Sequence, residues 1–421
     1  MKENNVRTAL FRGFRTATDL VYYVAFVFCV GWVFIKDSTM FRKIIPELVK
    51  DRMDAAYHAA AAVLLICAVI ALLRQDSIRL AVFGIVITVV SYIQYRVGGL
   101  KFSYYVLCLM ILGAVGKSFR RILTIWLILA TVLMAAAFFA SRAGIIEDLV
   151  YKGNRHSYGI VYCTDCAAHV LFLMISYVML RLYNFYVWEY GVLLFGLAFM
   201  WGTGGKTNIA GSVLLIGGLA FYRLSRRKPF RNFFTGRPAR FAARAGGAIL
   251  CLSFPVCAIL SFASTLMLGG TEREPHGLLT QTILNRLQIG YRALQEHPFS
   301  LFGTKIKEHS LGGKTTHPDG WWANKYFFID NSYLRLYLFG GAILFCLFLS
   351  VLVYAQIRCF LAEQYMYEYF LLIMALVCMT EHHMVDFVFH VFPLLAFSSG
   401  DILTKRTSRS RKKAVQQEGS S

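Results

Sequence analysis

The sequence predicts an all-α polytopic membrane protein, with about twelve transmembrane helices and one large extracytoplasmic loop. Three observations predict it. The 421-residue chain is 57% hydrophobic and only 16% charged, whereas globular domains run at about 45–50% apolar, so no soluble fold of this length could hide so much apolar surface. About twelve apolar runs are long enough, or nearly so, to cross a bilayer. The basic residues concentrate in a few segments between those runs, as charge bias across a membrane requires.

The runs fall at roughly 19–36, 55–73, 78–95, 102–116, 122–140, 164–181, 187–201, 207–222, 243–267, 333–357, 367–380 and 385–403. The fourth and eleventh are short enough to be tilted or partly re-entrant. Basic clusters mark one face: Lys2, Arg7, Arg12 and Arg15; eight basic residues from Arg223 to Arg244; and Lys405 to Lys413 in the tail. Twelve spans place all three clusters on the same side, which is then cytoplasmic, with both termini inside. Segments 37–54, 141–163, 202–206, 268–332 and 381–384 are then outside. Residues 1–404 read as a single membrane domain and 405–421 as a basic, disordered cytoplasmic tail. Met1–Arg15 is basic, but the first apolar run leads to Lys36-Asp37 and not to a small-residue cleavage site, so no cleavable signal is expected. No internal repeat supports a transporter built from inverted halves.

The formal charge of +21 would point to nucleic acid in a soluble protein. Here it sets topology and meets anionic lipid, and no nucleic-acid partner is expected. Most of the ten cysteines lie in apolar runs, where they act as small hydrophobes. Cys163 and Cys166 form a C-x-x-C without the context of a redox motif.

The loop from Leu268 to Ser332 carries seven Lys/Arg although it faces away from the cytoplasm. Such a loop needs a reason, and the plainest is an anionic ligand. Within it, Thr280–Glu296 has Ile283, Leu287, Tyr291 and Leu294 at helical spacing, which predicts an amphipathic helix ending before His297-Pro298. Arg286 and Arg292 flank that stripe, and a helix on the membrane surface would hold both near phosphates. An arginine fork suits pyrophosphate better than lysine does.

Three further outer segments hold polar residues with chemical potential. Ser141–His169 contains Arg142, Lys152 and Arg155, and it places Asp165 and His169 one turn apart on one helix face. Gly202–Thr207 lacks the spacing of a nucleotide loop, but its glycine turn and Lys206 can meet a phosphate. Asp330 and Asn331 precede a span, where Asn331 suits an N-cap and Asp330 could take a proton from a sugar hydroxyl. His309, His317, Asp319, Trp321 and Trp322 lie upstream. Glu381, His382, His383 and Asp386 match no H-E-x-x-H order, and neither a metal nor a cofactor is expected.

These segments resemble the Wzy-type polysaccharide polymerases of capsule, exopolysaccharide and O-antigen pathways, within the superfamily shared with O-antigen ligases. That family carries an R-x10-G pattern in two outer loops. Here Arg142 pairs with Gly153 and Arg292 with Gly303. Arg155–His169 is similar to a family segment in which proline is common where this chain has Cys163. Asp330-Asn331-Ser332-Tyr333-Leu334 with Gly340 resembles the motif shared with ligases, which carry histidine where this chain has Asp330.

The resemblance implies a metal-independent glycosyltransferase of the bacterial cytoplasmic membrane. It would transfer a growing glycan from undecaprenyl pyrophosphate to a lipid-linked repeat unit, beside a flippase and a chain-length regulator. Arg142, Arg155, Arg286, Arg292 and Lys206 would hold the pyrophosphate. Asp330 or His317 would deprotonate the acceptor, supported by Asp165, His169, Asn331, Tyr333 and Glu381. A ligase-type transferase and a lipid-linked oligosaccharide flippase are the alternatives.

Overall fold

The computed structural model describes residues 2–75, 77–227, 236–270, 278–297, 299–310, 313–315 and 326–404; side chains are described from 16 onward, except 278–282. The tail 405–421, His317, Asp319, Trp321 and Trp322 therefore lie outside the described residues, as does part of the basic 223–244 segment.

Apolar residues in long uninterrupted runs become helices, because a helix satisfies its own backbone where water is absent. Seven described helices are long and apolar enough to cross a bilayer. They lie in α1 (Lys2–Lys36), α3 (Glu47–Leu73), α4 (Ile78–Val97), α6 (Phe119–Arg142), α7 (Cys163–Arg181), α9 (Lys206–Ser225) and α13 (Ser332–Leu361). An eighth crossing results if α10 (Arg237–Leu250) and α11 (Ser253–Leu268), bent by 51°, are taken together. The apolar α5 (Phe102–Gly113) and α14 (Tyr365–Val377) are shorter, and α8 (Glu189–Thr203) has 15 residues. The remaining helices are the single turn α2 (Met40–Lys43) and the loop helix α12 (Leu278–Glu296). On α4 the exposed face is itself apolar (Ile78, Val82, Ile85, Val89), as a lipid-facing helix requires.

The twelfth expected run, 385–403, is not an α-helix. It forms 3-10 turns at Phe392–Ala396 and Gly400–Ile402 joined by irregular backbone. Pro393 removes an amide donor, and the preceding Asp-Phe-Val-Phe-His-Val-Phe favours helix weakly. Irregular backbone survives here because protein, and not lipid, surrounds it. Phe387, Val388, Val391, Phe392, Leu394 and Leu395 are fully buried. Trp126 Nε1 donates to the Phe387 carbonyl at 3.0 Å, and Arg358 Nη1 donates to the carbonyls of Leu395 and Ser398 at 2.5 and 2.7 Å. The segment runs the length of α13: Met384 N–H meets Ser332 at one end, and Leu395 meets Arg358 near the other.

Helix α13 is broken at Gly341 (φ 74°, ψ 170°). Loop residues 300–304 lie against the break. Thr304 N–H donates to the Leu338 carbonyl at 2.8 Å, and Ala342 N–H donates to the Ser300 carbonyl at 3.0 Å. Backbone groups freed by the break are thereby satisfied by protein.

Polar contacts collect at two rims. At one, Lys117 pairs with Asp19 at 2.8 Å and its carbonyl accepts from Ser399 N–H at 2.6 Å. The start of the apolar part of α1 and the end of the described chain therefore share a rim. The candidate site occupies the other.

Candidate functional site

Three helices begin side by side at this second rim. Asn331 caps α13, its Oδ1 accepting from the N–H groups of Tyr333 and Leu334 at 2.9 and 3.2 Å. Helix α9 begins just after a two-glycine turn: Gly204 is left-handed (φ 67°, ψ 21°) and closes α8, and Gly205 opens α9. A Cβ on Gly205 would overlap Ala167 of α7, so glycine is what lets α7 and α9 start this close together. Cross-links run between them. Thr207 and Thr380 hydroxyls lie 3.1 Å apart, Asn208 donates to the Thr164 carbonyl at 3.5 Å, and Ser332 Oγ donates to the Glu381 carbonyl at 2.5 Å. Three positive helix ends therefore face one region.

The large loop delivers Arg286 into it. Helix α12 packs through Gly290 and Ala293, both buried, and a Cβ on Gly290 would lie 2.8 Å from Leu334 of α13. Arg286, one turn before Gly290, shares that inner face. Its Nε pairs with Asp330 at 3.0 Å, and its Nη1 lies 3.5 Å from Glu381 and donates to the Thr380 carbonyl. Burial raises the Asp330 carboxyl above its ordinary range even against the pull of Arg286. Burial also pushes Glu381 up to about 7, with Arg286 again opposing. Glu381 is therefore poised to exchange a proton near neutrality, and Asp330 is shifted in the same direction.

A second charged pair pins the loop. Arg335, in the first turn of α13, makes a bidentate pair with Glu308 at 2.7 and 2.7 Å, and Glu308 also accepts from Ile329 N–H at 2.9 Å. Nearby are the half-buried Asp37 and Asp386 and the exposed Lys101. Burial, then the charge of Asp386, pushes Asp37 up to about 7. Sequence reasoning missed Lys101, Asp37 and the Arg335–Glu308 pair. The available signal was a charge next to or inside an apolar run, which is costly unless it has partners.

The other predicted residues sort into four groups. Asp165 joins the centre, its Oδ1 lying 3.6 Å from His383 Nε2. Arg155 and Lys206 lie at the α8–α9 turn: a Cβ on Gly204 would lie 2.5 Å from the Arg155 stem, and Lys206 is exposed at the start of α9. Arg142 is exposed at the end of α6. Arg292 does not share the inner face with Arg286. Six residues along a helix turn it about 240°, and Arg292 is exposed, paired with Glu296 at 2.6 Å. The expectation that both arginines sit alike at the surface is corrected in this respect.

Two expected supporting residues make no hydrogen bond to the centre among the described residues. His169 is fully buried against the rings of Phe389 and Phe34, with centroids at 4.1 and 5.1 Å. Tyr333 is fully buried and donates to the Ala375 carbonyl at 3.0 Å. Cys163 and Cys166 are buried free thiols. No protein-family model, curated protein or solved structure matches the chain.

Proposed function

We propose that the chain is a glycosyltransferase of the bacterial cytoplasmic membrane, a polysaccharide polymerase of the Wzy type. It elongates a glycan carried on undecaprenyl pyrophosphate at the outer face, with twelve crossings, eleven helical and the last irregular, and both termini cytoplasmic. The observation that carries this reading is Arg286, drawn from the large basic loop onto Asp330 and Glu381 where α13 begins. A half-buried acid held by one arginine, among three helix N-termini at a rim, suits a reaction that moves a proton and expels an anion.

In the proposed step, the acceptor hydroxyl oxygen bonds to the anomeric carbon of the donor glycan. The bond from that carbon to the pyrophosphate oxygen breaks, and undecaprenyl pyrophosphate leaves with the electron pair. The hydroxyl proton passes to Asp330. Because Arg286 Nε is already committed to Asp330, its role in the resting state is to position the base. The diphosphate then falls to Arg155 and Lys206 at the α8–α9 turn and to Arg142 at the end of α6, with Arg292 at the margin. Oriented dipoles and cations stabilise the developing charge most where water is excluded.

Deletion of the protein tests the reading. Loss of long polymer, with single repeats still displayed outside, supports a polymerase. Repeats stranded inside would identify a flippase. Undiminished polymer would overturn both.

A further inference from the structure

One cluster beside the centre is unused by the proposed chemistry. Single ligand atoms of Asp165, His382 and His383 lie within 4.8 Å of one another. His383 is fully buried, yet neither of its ring nitrogens has a hydrogen-bond partner among the described residues, and His382 Nδ1 has none either. A buried polar group left in this state costs free energy comparable to a lost hydrogen bond. The nearest acceptors to His383 Nε2 are Asp165 Oδ1 at 3.6 Å and Glu381 Oε2 at 3.9 Å. Both are too far for a good hydrogen bond. They are near the spacing of two atoms that share an ion: ligands about 2.0–2.1 Å from a tetrahedral cation stand about 3.4 Å apart.

Charge and rigidity agree with an ion here. Six carboxylates surround the cluster, Asp165 and Glu381 buried and Asp37, Glu308, Asp330 and Asp386 half-buried, against three cations, the buried Arg335, the half-buried Arg286 and the exposed Lys101. Among the described residues Asp165 has no ion-paired lysine or arginine, in contrast to Asp330 and Glu308. The His383 ring is clamped on Phe389, with centroids 3.7 Å apart, and His382 meets Phe328 edge-on at 5.2 Å. Glu381, whose Oε2 lies 3.9 Å from His383 Nε2, is itself oriented by Arg286 at 3.5 Å, as outer partners orient metal ligands.

We propose that Asp165, His382 and His383 bind a divalent first-row transition-metal ion, zinc being the best match, with Glu381 Oε2 or water in the fourth position. Two imidazoles and a carboxylate select this class over magnesium or calcium, which require oxygen donors. The ion ties the first turn of α7 to the 381–383 segment and offsets the carboxylate excess beside Asp330. The ligands are 218 positions apart, from Asp165 to His383, so no local motif announces the site. The assignment does not rest on the glycan-transfer reading.

The test is metal content. The full chain is purified in detergent without a histidine tag or chelator, exposed separately to zinc, cobalt(II) and manganese, and desalted. About one zinc or cobalt per chain is expected, with tetrahedral cobalt absorption bands. His383→Gln and Asp165→Asn should each lower bound metal at least tenfold. His382→Ala, at a half-exposed position, should weaken retention while the protein stays monodisperse. Wild-type protein that retains no stoichiometric metal overturns the proposal whatever the variants do. So does wild-type metal content in folded Asp165→Asn and His383→Gln. Glycan polymerisation is read separately, so its absence leaves this result intact.

Discussion

The two outer loops carry the same R-x10-G spacing but are built in opposite ways. The first, 141–163, folds a hairpin of its own and is tied to residues 37–39 by backbone hydrogen bonds. Strands Val150–Tyr151 and Arg155–His156 form a hairpin with Gly153 (φ 81°) and Asn154 (φ 56°) in its turn. Asp148 holds it from within, accepting from His156 Nδ1 at 2.7 Å and from Tyr158 N–H at 2.8 Å. The described residues of the second loop, 268–332, reach the charged groups at the start of α13. Gly303 (φ 80°) lies against the break in α13, Glu308 grips Arg335, and Arg286 reaches Asp330 and Glu381. The difference teaches that a shared spacing need not mean a shared job. In each loop the glycine answers a backbone requirement, and only the second loop brings an arginine to these two acids.

The largest effect should follow removal of that arginine. Arg286→Ala leaves a buried and a half-buried carboxylate without their cation and should destabilise the protein by about 3 kcal/mol or more, read as a lowered melting temperature in detergent. Arg286→Gln separates stability from chemistry. Arg286 pulls the Asp330 pKa down against burial, so its loss leaves that pKa higher still. A base works only when unprotonated, so activity is lost as pH falls through its pKa. The acid limb of the rate should therefore move to higher pH in Arg286→Gln. An unmoved limb, with residual activity present, would detach Asp330 from the proton transfer.

How much of this was legible in the sequence depends on the range of the interaction. The α12 helix, ending at Glu296, followed from its periodicity. The Asn331 cap and the tight turn at 202–206 followed from local chemistry. Residues 385–403 were misread because hydropathy reports burial and not helicity: the segment is apolar since protein encloses it, and Pro393 and its neighbours decide the backbone. The inward turn of Arg286 could not be read, since its partner Thr380 is 94 positions away. Nor could the pairing of Asp165 with His383, for the same reason.

Next in size is Gly303→Ala. The position is left-handed, and a Cβ there would overlap the Phe339 carbonyl. Strain and the clash together should cost about 2 kcal/mol, and the loop should lift from α13, seen as new protease sensitivity between 297 and 310. In the first loop, Gly153→Ala meets open space and carries only the conformational penalty of about 1 kcal/mol. Equal effects at the two glycines would break the comparison. Asp148→Ala should cost about 1–2 kcal/mol, from the loss of two hydrogen bonds. It should loosen the hairpin while the Arg286 pH limb stays put.

The smallest effect on stability, and the one that most sharpens the contrast, belongs to Arg292→Ala. Its side chain is exposed, its ion pair with Glu296 spans a single helical turn, and it covers the Phe327 ring at 5.6 Å. Exposed pairs of this kind contribute about 0.5 kcal/mol or less, so the melting temperature should not move measurably. If Arg292 guides an incoming diphosphate at the margin, polymer chains should shorten at unchanged expression, and Arg292→Lys should restore part of their length by keeping the charge. Normal chain length in Arg292→Ala would remove Arg292 from the site. The R-x10-G spacing of the second loop would then reduce to the fit of Gly303 against a broken helix, and the chemistry of that loop would rest on Arg286 alone.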